Sequence, residues 1–277
     1  MSEPILLYAV EDGLATITLN NPARRNSMSL AMTDAIDEAL VAAAKDPAVR
    51  AILITGNGPA FSSGGDIERL KGAATGETPR SERSAIDPND FYNVPPYTPP
   101  EFRSRYTFVM SLGVPVIAAV NGPAVGAGFL LALHCDIRFA SSTAAFMTGF
   151  ARIGATPEVA LCWSLTHTIG AGRAREMLLS GRRVEADEAL AIGLVTKVLA
   201  PEELLSYAAD YARNLAARIS PRSVRVIKKQ VLAAGGQSFA EAFYGSGDDA
   251  REAVSSEDFK EGLAAALEKR PPRFTGR

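Results

Sequence analysis

The sequence predicts an α/β core that carries a helical C-terminal region, and three observations predict it. Two stretches, "ILITGNGPAFSSGGDI" and "VIAAVNGPAVGAGFLL", each read as strand, glycine-rich turn and helix. Short β-branched runs recur through the first half of the chain. After Pro157 the pattern turns mainly helical. The 277 residues are 47% hydrophobic and 22% charged, which is ordinary globular composition and enough for one large domain or two smaller ones.

Taken in order, "ILLYAVEDGLATITLNN" is two strand-like runs joined at Asp12-Gly13, a hairpin signal. Ser29 caps "LAMTDAIDEALVAAAKD", where Leu30, Met32, Ile36, Leu40 and Val41 recur at helical spacing. "VRAILITGNG" is a buried strand closed by a turn, and "FSSGGDIERLKG" is loop and helix start. Residues 114–133 are uncharged and about the ~20 residues that a bilayer span needs. Pro115 at the start and Asn121-Gly122-Pro123 in the middle argue against a span. "VPVIAAV" reads instead as a buried parallel strand and "GAGFLLAL" as an apolar helix. "DIRFASSTAAFMTG" supplies further short strands. The helical runs are "EVALCWSLTHTIG", "AGRAREMLLSG", "EADEALAIG", "PEELLSYAADYARNLAAR" and "PRSVRVIKKQVLAA". No fixed period marks a solenoid. Residues 71–100 are polar and rich in Gly, Pro and Ser, which predicts a surface excursion. Two readings of it stand: a cover folded over a pocket by Phe91, Tyr92 and Tyr97, or a partly mobile loop.

The net charge of -2 offers no basic field for nucleic acid or an anionic membrane, although local Arg and Lys could still grip a phosphorylated small molecule. Cys135 and Cys162 lie in apolar contexts, which suits buried thiols in a reducing compartment. "MSEPILLYAVEDG" has no basic start and no long apolar run, so the expectation is a cytoplasmic protein without a signal peptide. His134 and His167 stand alone in apolar helical stretches and read as core or surface histidines, so no metal site is expected.

The two glycine turns carry the chemistry. A turn entering a helix leaves N–H groups unpaired at the positive end of the helix dipole. Two such turns side by side can aim two donors at one oxygen, an oxyanion hole built without side chains. Neither turn is GxGxxG, and the chain has no phosphate loop and no GxSxG elbow. The competing reading is that the glycines only permit tight packing of strand against helix.

Several stretches together resemble the crotonase superfamily, the enoyl-CoA hydratase/isomerase family, over almost the whole chain. They are "ITLNNPARRNSMSL", "FSSGGDI", "PVIAAVNGPAVGAGFLLALHCDIRFAS", "GRRVEADEALAIGLVTKVL" and "SSEDFKEGLAAALEKRPPRF". The resemblance implies a crotonase-like spiral of ββα units over residues 1–200 and a helical trimerisation region over 201–277. It implies acyl-CoA substrates, with coenzyme A as part of the thioester and no separate cofactor, and a homotrimer or dimer of trimers. It places the hole donors at the N–H groups of Gly65 and Ala127. Ser63, Asp66, Ile67 and Gly126 belong to the same motifs, and Asp66 is expected to hold its turn. Arg24 and Arg25 fall where the family contacts the CoA phosphates, with an ordinary solvated pair as the other reading. Phe259 and Lys260 match a motif that reaches the CoA site, sometimes that of a neighbouring subunit.

The departures decide between reactions. Hydratases of the family carry two glutamates, which fall at Leu130 and Phe150 here. Neither residue can activate water or pass a proton. "FARIGATPEVALCW" resembles the peroxisomal type of 3-enoyl-CoA/2-enoyl-CoA isomerase, whose Pro-Glu pair falls on Pro157-Glu158. The dienoyl-CoA isomerases also carry an acid at this place, with a second one where Phe150 stands. Glu158 would then be the single acid/base, with Leu130 and Phe150 as apolar wall. Thr156-Pro157-Glu158 also reads as an ordinary helix start. The expected function is double-bond isomerisation. The alternatives are another crotonase reaction (weak hydration, thioester hydrolysis or ring cleavage) and a non-catalytic acyl-CoA-binding member.

Overall fold

The computed structural model describes residues 3–76, 100–103 and 105–277. Most of the expected excursion, residues 77–99, lies outside the described residues, including Phe91, Tyr92 and Tyr97. Strands β1 (Leu6–Glu11) and β2 (Leu14–Leu19) form the expected antiparallel hairpin. Helix α1 (Leu30–Lys45) follows; its cap Ser29 accepts a hydrogen bond from the Met32 N–H. Strand β3 (Ala51–Gly56) runs parallel to β2, and α2 (Ile67–Thr75) leaves the first glycine turn. After a short α3 (Phe108–Ser111) come β4 (Val116–Val120), β5 (Ala124–Val125) and α4 (Ala127–His134). The suspected span is therefore strand, turn and an eight-residue helix. No helix among the described residues is long and apolar enough to cross a membrane.

Strands β6 (Ile137–Ser141) and β7 (Ala145–Met147) repeat the pattern. Then follow α5 (Leu161–Ile169), α6 (Ala171–Ser180), β8 (Val184–Glu185), α7 (Ala186–Ala191) and β9 (Lys197–Leu199). The chain ends in α8 (Pro201–Arg218), α9 (Pro221–Ala234), α10 (Phe239–Ser255) and α11 (Glu257–Glu268). The larger sheet has the order β1-β2-β3-β4-β6-β9 and the smaller β5-β7-β8. The α/β class and the repeated strand-turn-helix units are those expected.

The sheet divides the core by strand period. Along β3, Ile52 and Ile54 join the main core with Met32, Ile36 and Leu40 of α1, while Ala51 and Leu53 face the other way. There Leu204, Ala208 and Ala212 of α8 cover them, with Phe139 edge-on to Tyr207. Strands buried on both faces read as continuous apolar runs, which is why "AILIT" and "VIAAV" show no alternation.

Two expectations change. The helix read from Thr156-Pro157-Glu158 starts at Leu161, because Val159 and Ala160 adopt left-handed backbone (φ 52° and 58°), which no helix continues through. Cys135 is buried as expected, but Cys162 is exposed. Leu161, Leu165 and Ile169 turn one face of α5 inward, and Cys162 falls on the other.

Candidate oxyanion site

The first glycine turn is held by the loop that precedes α1. The Met28 N–H donates to the Gly64 carbonyl at 2.7 Å and the Ser63 N–H to the Arg25 carbonyl at 2.8 Å. Ser62 Oγ donates to the Asn26 carbonyl at 2.7 Å. The buried Asn26 amide in turn donates to the carbonyls of Asn57 (3.0 Å) and Ala60 (2.9 Å). Asp66 ties the turn from below. Its carboxylate accepts from Ser27 Oγ (3.1 Å), from the Glu68 N–H at the start of α2 (3.1 Å) and from Arg24 (3.4 Å). Asp66 thus has the turn-holding surroundings expected of it.

The second turn is stitched to the first. The Ser62 N–H donates to the Pro123 carbonyl (3.1 Å) and the Val125 N–H to the Ser62 carbonyl (2.9 Å), a short parallel bridge. The approach is close enough that a Cβ on Gly64 would sit 2.5 Å from the Val125 oxygen, and one on Gly128 2.4 Å from Ser62 Cβ.

Each predicted donor follows a glycine with positive φ: Gly64 (85°) before Gly65, and Gly126 (50°, with ψ -117°) before Ala127. That backbone rotates the next peptide plane, and a side chain would resist it. The Gly126 N–H is used by the Met147 carbonyl at 2.9 Å, whereas the N–H groups of Gly65 and Ala127 make no hydrogen bond among the described residues. Ala127 opens α4, so its N–H is one of the orphans of a helix N-terminus and carries the positive end of the dipole. Two unpartnered donors on adjoining turns can stabilise an oxygen that gains negative charge.

The other predicted residues are placed as follows. Leu130 is 1% exposed in the main core, and Phe150 is half-buried on a short 3-10 helix, Phe150–Ile153. Ala127, Phe150 and Val159 all rest on that core. Glu158 lies on the loop before α5 and is exposed; its carboxylate makes no hydrogen bond or ion pair among the described residues. Arg24 and Arg25 stand exposed beside Ser63. Ile67 begins α2. Phe259 and Lys260 are exposed on α11, an element apart from those carrying the donors. Among the described residues, no group of three or more His, Cys, Asp or Glu is arranged to hold a metal. His134 is buried between the Tyr106 carbonyl and Ser164 Oγ, and burial pushes its pKa down to about 4. Sequence reasoning missed Asn26, Ser27 and Ser62, which brace the first turn. Their signal was a run of short polar residues between apolar elements, which also fits an ordinary loop.

This arrangement matches known proteins along its whole length. A sequence model described as enoyl-CoA hydratase/isomerase matches residues 9–277. A protein of Rhodobacter capsulatus named probable enoyl-CoA hydratase is 35% identical, with 100% of each chain covered. The 1,2-epoxyphenylacetyl-CoA isomerase of Escherichia coli is 34% identical over 98% of each. The crystal structure of an enoyl-CoA hydratase from a Polaromonas species superposes with a TM-score of 0.84 at 32% identity, covering 97% of this chain and 99% of that one. With its two stitched glycine turns and a family match over residues 9–277, the chain belongs to the enoyl-CoA hydratase/isomerase family.

Proposed function

We propose that the protein shifts the double bond of an enoyl-CoA, with Gly65 and Ala127 as oxyanion donors and Glu158 as the single acid/base. The observation that carries the reading is the pair of unpartnered N–H groups, each set by the glycine before it. The thioester oxygen accepts from both. Glu158 takes a proton from C2, the electrons move into a dienolate, and the protonated Glu158 returns that proton to C4. One carboxylate suffices, which accords with Leu130 and Phe150 standing where hydratases of the family place theirs. Arg24 and Arg25, exposed beside the first turn, suit the CoA phosphates. Phe259 and Lys260 suit the same CoA, reached within a homotrimer or dimer of trimers. The location we assign is cytoplasmic.

A second reading has its own observation. Glu158 is exposed in the single chain, which favours an acyl-CoA-binding member without this chemistry. A paired assay separates the two. Glu158→Gln keeps the shape of the side chain and removes its basicity. Isomerisation of a 3-enoyl-CoA should fall by the ~10²–10⁴ typical of general base removal, with acyl-CoA binding retained. Crotonyl-CoA hydration by the unaltered protein should be slow. Fast hydration that survives Glu158→Gln would show that the acid is elsewhere, and an unaltered protein without turnover would leave the binding reading.

A further inference from the structure

A cavity of about 570 Å³ opens between α3, α5 and α9. Phe102, Met110, Trp163, Leu232 and Ala233 give it apolar walls. Three cations also reach it, but each is engaged. Lys228 binds Asp136 at 2.6 Å, Lys229 binds Asp249 at 2.5 Å, and Arg225 donates to the Gly276 carbonyl at 2.6 Å. Two of the cations are paired with carboxylates and the third is hydrogen-bonded to a carbonyl, so the apolar walls rather than a free charge set what the cavity takes.

Two features join this cavity to the donors. Ala160, in its wall, is two residues past Glu158. Helix α4 connects the two: Ala127 is its first residue, and His134, its last, binds Ser164 of the cavity wall at 3.0 Å. At about 1.5 Å per residue, the two ends of α4 stand roughly 10 Å apart. Gly65, Ala127 and Glu158 do not themselves line the cavity, and on this scale an acyl group whose thioester is held at Ala127 spans the distance to its wall only when the chain is long. The volume is several times the roughly 150 Å³ that admits benzene. The flexible Met110 lets the walls fit irregular chains.

We infer that this cavity takes the distal part of the acyl group, so that the preferred substrate is an acyl-CoA with a long apolar tail rather than a four-carbon crotonyl group. The inference rests on the acyl-CoA reading of the donor site. It makes Trp163, Met110 and Ala233 determinants of chain length.

Trp163 is the only tryptophan of the chain and is 38% exposed, so it reports on the cavity. Saturated thioesters bind without reacting, which keeps the test independent of Glu158. Dodecanoyl-CoA should shift Trp163 emission to the blue, while CoA and butanoyl-CoA should not. Affinity should rise about fourfold per added methylene until the cavity is full. Ala233→Phe, which fills the cavity from α9, should remove the shift and weaken dodecanoyl-CoA at least tenfold. Butanoyl-CoA binding, measured by calorimetry, should not change. Met110→Phe makes the same test from the opposite wall if the first variant fails to fold. Equal affinity for both thioesters with unchanged emission would overturn the distal pocket alone. Failure of both thioesters to bind would overturn the acyl-CoA reading of the donor site and the pocket with it.

Discussion

His134 shows how a single residue can be set by burial rather than chemistry. Its ring is 3% exposed, and desolvation is the first cause of its low pKa, with the nearby Arg138 cation acting in the same direction and the Tyr106 carbonyl against them. The native state therefore keeps the ring neutral between its ordinary 6.5 and about 4, where the unfolded chain takes up a proton. The unfolded state binds more protons in that window, so stability falls as pH drops through it and is fully present above 6.5. The full effect is about 3 kcal/mol. Urea unfolding at pH 7 and at pH 4.5 should show the loss, and His134→Gln should flatten it; a pH-independent midpoint would refute the account. An isolated histidine in an apolar helix reads as a core or surface residue, and the structure decides for the core. Which groups flank it, Tyr106 and Ser164, is set by how α3, α4 and α5 meet.

At the scale of elements, α4 begins at the residue we propose as a donor. Ala127 is its first residue, a position where proline suits the helix because the N–H has no intrahelical partner. Ala127→Pro should therefore leave the fold intact by circular dichroism yet remove one donor, costing ~10²–10³ in turnover. A folded variant with full turnover would sink the oxyanion assignment. The glycine turns were legible in the sequence as strand, turn and helix, because glycine there is demanded by local backbone geometry. The start of α5 was not. Thr156-Pro157-Glu158 has the residue types of a helix start, yet Val159 and Ala160 take left-handed backbone and delay it to Leu161. Nothing local asks a β-branched valine to do this.

For the whole molecule, the C-terminal helices carry apolar surface that no other described residue covers. Phe239 is 86% exposed and touches Phe243, which meets Tyr244 edge-on; Val231 and Leu267 are exposed as well. Contiguous aromatic surface of this kind marks an interaction site, and a second copy of the chain is the partner we expect there. Sedimentation at micromolar concentration should give three or six chain masses. Phe239→Asp with Phe243→Asp should shift the protein toward the monomer if this face is the interface. A monomeric unaltered protein would contradict the assembly.

The sequence by itself determined the strands and most helices of the first half, the hairpin at Asp12-Gly13, the Ser29 cap and the two turns. Each of these follows from local backbone preference or from the period of apolar residues, both of which are written along the chain. The family motifs are also the source of the expectation that Gly65 and Ala127 are the donors and that Asp66 holds its turn. Only the tertiary structure decided that Asn26 braces the first turn, that the Ser62 backbone joins it to the second, that Leu130 is sealed in the core, and that Cys162 and Glu158 are exposed. It alone placed Trp163 and Ala233 across one cavity. These are contacts between residues far apart in the chain, and no local preference encodes which distant side chains will meet.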